Sequence, residues 1–280
     1  MRDGFIISAL SIVPKNKVAR IMGRTARIRL PRFLHRLLIR WFVWKYKVDL
    51  DECVGGIDDF DSLSDFFLRA LKDGVRTIDG DPACWVSPVD GCMHVRGEIQ
   101  DGRFLQSDSQ HGEVSMLLGE EGGSYANGQY AIIYLSPQDY HRVHSPQDGQ
   151  IKRISYHPGQ LWPVFPAATR EIPNLFDRNE RLVFHMETEH GPAAMVMVGA
   201  FGVGRMSTSL HELVTNRPGA GAEEVSFDPP RPVVRGQELG RFELGSTVIM
   251  IWEDRKLGWL HSSGDRPRLG EKMAEPLSPG

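Results

Sequence analysis

The sequence predicts a mostly β, α+β protein: an antiparallel-sheet body behind an N-terminal amphipathic helical element. Three observations carry this expectation. From Trp85 onward, short apolar or alternating runs recur: CWV, GRFLQS, GQYAIIYL, GQIKRISYHPG, RLVFHMETEHG, AAMVMVGAFG and STVIMIW. Runs of this length bounded by turn residues read as strands, and closely spaced strands pair antiparallel. The 280 residues also contain 29 Gly and 18 Pro, spread along the chain, which suits many short strands better than long helices. Finally, basic residues at helical spacing are concentrated before residue 48, where Gly and Pro are sparse.

Taken in order, residues 1–56 form the helical element. The opening Phe5–Pro14 stretch is too short to span a bilayer, and it lacks the basic start and small-residue cleavage site of a signal peptide. Residues 15–48 favour helix. Arg20, Arg24 and Arg27 share one face, as do Arg32, Arg36, Arg40 and Lys47. Leu34, Leu37, Leu38, Trp41 and Trp44 lie opposite the second stripe, with Ile39 and Val43 intruding on the basic side. Residues 1–48 hold 12 Lys and Arg against one acid, Asp3, so this arm carries +11 and the remainder −14. A basic, aromatic helix suits an anionic lipid interface. Packing on its own body or on a partner is the alternative, and nucleic-acid binding lacks a supporting motif. Residues 57–280 form the β-rich domain. It opens with a short helix, DSLSDFFLRAL, capped by Ser62 or Ser64, with Phe66, Phe67 and Leu71 as core. Gly270–Gly280 reads as a loose tail. Cys53, Cys84 and Cys92 form no CxxC pair, which suits a reducing compartment.

Three stretches could carry chemistry. SPVDG (Ser87–Gly91) is a tight turn, and a turn alone explains Asp90. YLSPQDYHRVHSP (Tyr134–Pro146) places His141 and His144 three apart; the spacing suits a metal, but no third ligand matches, so no metal is expected. LGST (Leu244–Thr247) sets a Gly-Ser bond at the mouth of an apolar strand. Asp, His and Ser are the recipe for activating a hydroxyl, yet the GxSxG elbow of a hydrolase is missing.

Together, FFLRALKDGVRTID, SPVDG, YLSPQDYHRVHSP, PNLFDRNER and GQELGRFELGST resemble the phosphatidylserine decarboxylase family, pyruvoyl-dependent membrane enzymes, in order from about Pro14 to Glu253. The basic extension resembles the longer bacterial form. LWPVFPA (Leu161–Ala167) departs from the Phe-Ser-Val-Asn-like stretch more usual there. The resemblance implies that Ser246 attacks the Gly245 carbonyl, dividing the precursor into a large chain, 1–245, and a small chain, 246–280, capped by a pyruvoyl group made from Ser246. It implies that His144, oriented by Asp90, activates Ser246, and that His141 assists decarboxylation and proton return. The pyruvoyl ketone would form a Schiff base with the amine of phosphatidylserine, yielding phosphatidylethanolamine and CO2 without metal or nicotinamide. The two chains would form a heterodimer, and heterodimers would pair, on the cytoplasmic face of the cell membrane. The rivals are an inactive β-rich lipid-binding module of the same fold, a pyruvoyl decarboxylase for another amine, and a nucleic-acid binder.

Overall fold

In the computed structural model, which describes residues 13–202, 205–243, 246–253 and 257–277, the basic arm is two helices. These are α1 (Lys15–Ala26) and α2 (Arg32–Tyr46). Pro31 separates them, since a proline lacks the N–H a continuing helix needs and disfavours helix at the residue before it. α1 turns Ala19, Gly23 and Ala26 inward, and these small residues let the helix lie close to the body. α2 buries His35, Ile39 and Phe42. The Ile39 that intrudes on the basic side in the sequence is therefore the packing face. Phe42 meets Phe66 and Phe67 edge-on, each at 5.9 Å, on α3 (Leu63–Phe67). Ser62 caps α3, its Oγ accepting the Asp65 N–H. Leu71, expected in the core, is only half-buried.

The strands are β1 (Trp85–Val86), β2 (Cys92–Glu98), β3 (Arg103–Ser107), β4 (Gln110–Glu113), β5 (Gln129–Leu135), β6 (Arg142–His144), β7 (Gly149–His157) and β8 (Arg181–Thr188). They continue as β9 (Gly191–Gly199), β10 (Met206–Thr208), β11 (Glu223–Val233), β12 (Glu238–Phe242), β13 (Ser246–Trp252), β14 (Leu257–Trp259) and β15 (Lys272–Pro276). Seven make one antiparallel sheet in the order β11-β7-β8-β9-β13-β5-β2. Smaller sheets, β10-β12-β6 and β1-β15-β14, and the β3-β4 hairpin complete the body.

β13 reads as an unbroken apolar run because both of its faces are covered. Val248, Met250 and Trp252 join a core with Met206, Phe242 and Met273, and Trp252 stacks on Trp85 at 5.0 Å. Ile249 and Ile251 join the opposite core with Phe104, Leu117 and Phe176. That core lies beneath α4 (Val114–Leu118), α5 (Pro166–Glu171) and α6 (Leu175–Arg178).

The loose tail is a correction. β15 pairs with β1 and β14, and Met273 and Ala274 are buried. Charged flanks on a five-residue strand hide its two inward positions from a pattern reading. Among the described residues, no helix is long and apolar enough to cross a membrane.

Candidate active site

Ser246 opens β13 and is pinned from both sides, paired with Leu135 of β5 and Gly199 of β9. It is fully buried, and its Oγ has no hydrogen-bond partner among the described residues. Leaving a buried hydroxyl unpaired costs about 1–3 kcal/mol, which marks a group held ready for something other than stability. Leu244 and Gly245, hence the carbonyl side of the expected cleavage bond, lie outside the described residues. Just upstream, Glu243 accepts a hydrogen bond from Arg27 of α1 and pairs with Arg205 at 3.3 Å.

Ser246 ends an apolar cavity of about 350 Å³ walled by Met22 of α1, Phe42 and Tyr46 of α2, Phe67 of α3, and Tyr134. Pro163, Val164 and Phe165 also line it, so the LWPVFPA stretch contributes to this cavity.

The loop from β5 to β6 is built around Asp139. Its Oδ2 accepts the Ser136 N–H at 2.7 Å and hydroxyl at 2.6 Å, and Arg266 pairs with Oδ1 at 2.5 Å. His141 Nδ1 donates to the Asp139 carbonyl at 2.8 Å. A carbonyl only accepts, so Nδ1 carries the proton and Nε2 presents its lone pair. That Nε2 has no partner among the described residues. The ring is fully buried, 4.2 Å from the Phe67 ring, and burial lowers its pKa to about 3. His144 has the same tautomer: Nδ1 donates to the Gly236 carbonyl at 2.7 Å, and Nε2 accepts the Tyr140 hydroxyl at 3.3 Å. Burial lowers its pKa and pushes that of Tyr140 up to about 12, so near neutral pH the pair is imidazole and phenol.

Asp90 sits in a turn fastened to β6: the His144 N–H donates to the Pro88 carbonyl at 2.9 Å, and Ser87 Oγ donates to the Val89 carbonyl. The carboxylate is forked by Arg76, Nε to Oδ1 at 3.0 Å and Nη2 to Oδ2 at 2.5 Å, and Oδ1 accepts the Leu269 N–H at 2.8 Å. Arg76 also donates to Glu52 at 2.7 Å. Asp90 and Tyr140 line one charged cavity with Arg69, Arg266 and Arg268.

The structure therefore gathers Asp90, Tyr140 and His144 into one region, and lines one cavity with Ser246 and with Phe67, whose ring packs on His141. Among the described residues, no hydrogen bond joins Asp90 to His144 or Ser246 to either histidine. Sequence reasoning missed Arg76, Tyr140 and Leu269. Tyr140 lies inside the histidine motif, and a buried imidazole needs a neighbouring donor or acceptor. The Leu269 N–H leaves no trace in side-chain identity.

A family profile described as phosphatidylserine decarboxylase matches residues 63–275, a span holding Asp90, both histidines and Ser246. The chain belongs to the phosphatidylserine decarboxylase family. The phosphatidylserine decarboxylase proenzyme of Anaeromyxobacter sp. (strain K) is 40% identical over 279 residues, 98% of this chain and 99% of that protein. That of Bordetella pertussis is 38% identical over 289 aligned residues, 99% and 96% of the two chains. That of Myxococcus xanthus is 36% identical over 277, 98% and 99%. The profile begins at α3, but these proenzymes align through the helical arm as well.

Proposed function

We propose that the chain is a proenzyme that opens its own backbone before Ser246 and then decarboxylates phosphatidylserine to phosphatidylethanolamine and CO2. One observation carries this reading: a buried, unpaired Ser246 hydroxyl at the end of an apolar cavity, in a member of this family.

In processing, Oγ of Ser246 bonds to the Gly245 carbonyl carbon as the amide C–N bond breaks, giving an ester. β-Elimination then breaks the Cβ–Oγ bond, leaving residues 1–245 with a carboxylate and residue 246 as dehydroalanine. Hydrolysis releases ammonia and leaves a pyruvoyl cap on the 35-residue small chain, 246–280. His144 takes the hydroxyl proton at Nε2, displacing its long bond to Tyr140. Asp90, clamped by Arg76, favours the imidazolium that forms through its charge. Gly245 and Ser246 are consecutive in one chain, so the attack is intramolecular, and pairing on both sides holds the serine in place for it.

The unpaired polar position at the cavity end fits a pyruvoyl group in kind. Once formed, that group supplies an electron sink for the Cα–carboxylate bond. His141 is neutral, and its buried Nε2 lone pair, unpartnered among the described residues, is the group this reading uses to relay a proton to Cα. A cavity of about 350 Å³ is too small for a whole phospholipid, so in this reading only the reacting end of the substrate enters. The acyl chains stay outside, against α1 and α2, where Ile21, Ile28, Phe33, Leu37, Trp41 and Trp44 are exposed.

These helices, within the 1–56 arm, are the membrane element of this reading, docking peripherally on an anionic cytoplasmic leaflet. Each nearby basic residue contributes about 1 kcal/mol. Arg27, Arg29 and Arg36 are tied to Glu243, Asp61 and Asp58, so fewer charges face lipid than the composition implies. The cut chains stay together as a heterodimer, and heterodimers pair.

Intact mass under denaturing conditions tests the reading. The expected result is two chains meeting at Gly245 and a pyruvoyl-blocked residue 246. A single full-length mass from protein that releases no CO2 from phosphatidylserine would overturn it.

A further inference from the structure

α1 divides two spaces. Met22 faces the Ser246 cavity, whereas Arg20, Gly23, Arg24 and Arg27 line a second groove of about 400 Å³. Its other wall is Arg205, Glu212 and the turn from Val214 to Pro218, which brings Arg217. Ala19 and Gly23 make the groove possible, because the helix approaches the turn without side chains in between.

The charges in the groove are not fully compensated. Glu243 holds Arg27 and Arg205, and Glu223 holds Arg217 at 2.5 Å. Arg20 donates to the Asn216 side-chain oxygen at 3.3 Å, and the Arg24 guanidinium has no hydrogen bond or ion pair among the described residues. Glu212, the one carboxylate lining the groove, has no ion pair among them either. Five guanidiniums against Glu212, Glu223 and Glu243 leave a net +2. The turn is held in shape from beneath. Asn216 adopts a left-handed φ of 53°, uncommon for a residue with a side chain. Its N–H donates to buried Glu180 at 2.6 Å, and the same oxygen accepts the Tyr156 hydroxyl at 2.6 Å.

We infer that this groove binds a phosphate group, carried by an anionic phospholipid distinct from the molecule at Ser246. Planar guanidiniums on facing walls match phosphate oxygens in pairs. The groove flanks a helix that exposes Ile21, and Ile28 is exposed just past its end, so a phosphate held there belongs at headgroup level. The lipid source rests on the membrane docking proposed above; the phosphate chemistry does not. A lipid bound here would steady α1, and with it one wall of the Ser246 cavity.

The test compares R20Q/R24Q with R32Q/R40Q, an equal charge removal on the exposed side of α2. Sedimentation with phosphatidylcholine vesicles, with and without phosphatidylglycerol, reads lipid affinity. Calorimetric titration with inorganic phosphate and glycerol phosphate, without vesicles, reads the soluble anion. The expected result is that R20Q/R24Q loses at least about tenfold more affinity for phosphatidylglycerol vesicles than R32Q/R40Q, a difference of about 1.4 kcal/mol. Phosphate heat lost in R20Q/R24Q alone would make soluble phosphate a ligand of the same groove. Equal vesicle losses in the two variants, with no Arg24-dependent phosphate heat, would overturn the site. If the unmodified chain binds no vesicles, the docking proposal fails and the phosphate titration decides the groove.

Discussion

Replacing Arg76 with Ala removes the group that holds Asp90. The Arg76 side chain is 8% exposed and Asp90's is 12%, so the pair is largely out of water. Without Arg76, Glu52 keeps Arg268 at 3.0 Å, but Asp90 keeps only the Leu269 N–H. Removing one partner of a buried pair costs about 3–5 kcal/mol. The expected loss at pH 7 is therefore about 3–5 kcal/mol. Urea unfolding of R76A in an uncut S246A background, against S246A alone, measures it on a single chain. Adding D90N should restore at least half of the loss, because the stranded charge is gone. A loss under about 1 kcal/mol at pH 7, or no recovery on adding D90N, would refute the clamp.

Three further outcomes are expected. H144A should leave a full-length chain on a denaturing gel, whereas H141A should still be cut yet release no CO2; the reverse pattern would exchange their roles. Burial depresses the pKa of His141 to about 3, His157 to about 4 and His185 to about 3. The unfolded chain takes up these protons below about pH 6.5 and the folded chain does not, so stability should fall with acid from pH 6.5 to about 4. Buried His141 and His185 each contribute up to roughly 1.4 kcal/mol per unit, the more exposed His157 less because solvent screens it, and H185Q should flatten thermal melts across that range. W41A/W44A removes two exposed rings and should change stability by under about 0.5 kcal/mol, while cutting vesicle binding. High salt should weaken what binding remains.

The β body was legible because β5, β8, β9 and β13 are apolar enough, and flanked clearly enough, to show their period. β15 was not, since its inward residues are a Met and an Ala between charges. The arm was legible as helix but not in its orientation: Ile39 and Phe42 are covered by Phe66 and Phe67 from another element, and no local pattern announces that neighbour. The same limit applies to the site. Asp90, His141, His144 and Ser246 stand in recognisable stretches. The partners that set their charge and tautomer are Arg76, the Gly236 and Asp139 carbonyls and the Leu269 N–H, and backbone groups carry no sequence signature.

β13 begins where the chain is proposed to part, and it runs through the interior of the sheet with seven paired residues on each side. Opening the backbone there leaves the leading strand of the small chain enclosed between neighbours that belong to the large chain. While folded, the molecule scarcely registers the break. Once denatured, however, the two pieces no longer share a tether, and the effective concentration that a continuous chain provides, of millimolar order, is lost. The hydroxyl that made the cut is consumed, so the tether cannot be restored. Maturation is then a one-way valve. The precursor can refold, and the working enzyme lasts only as long as its first folding does.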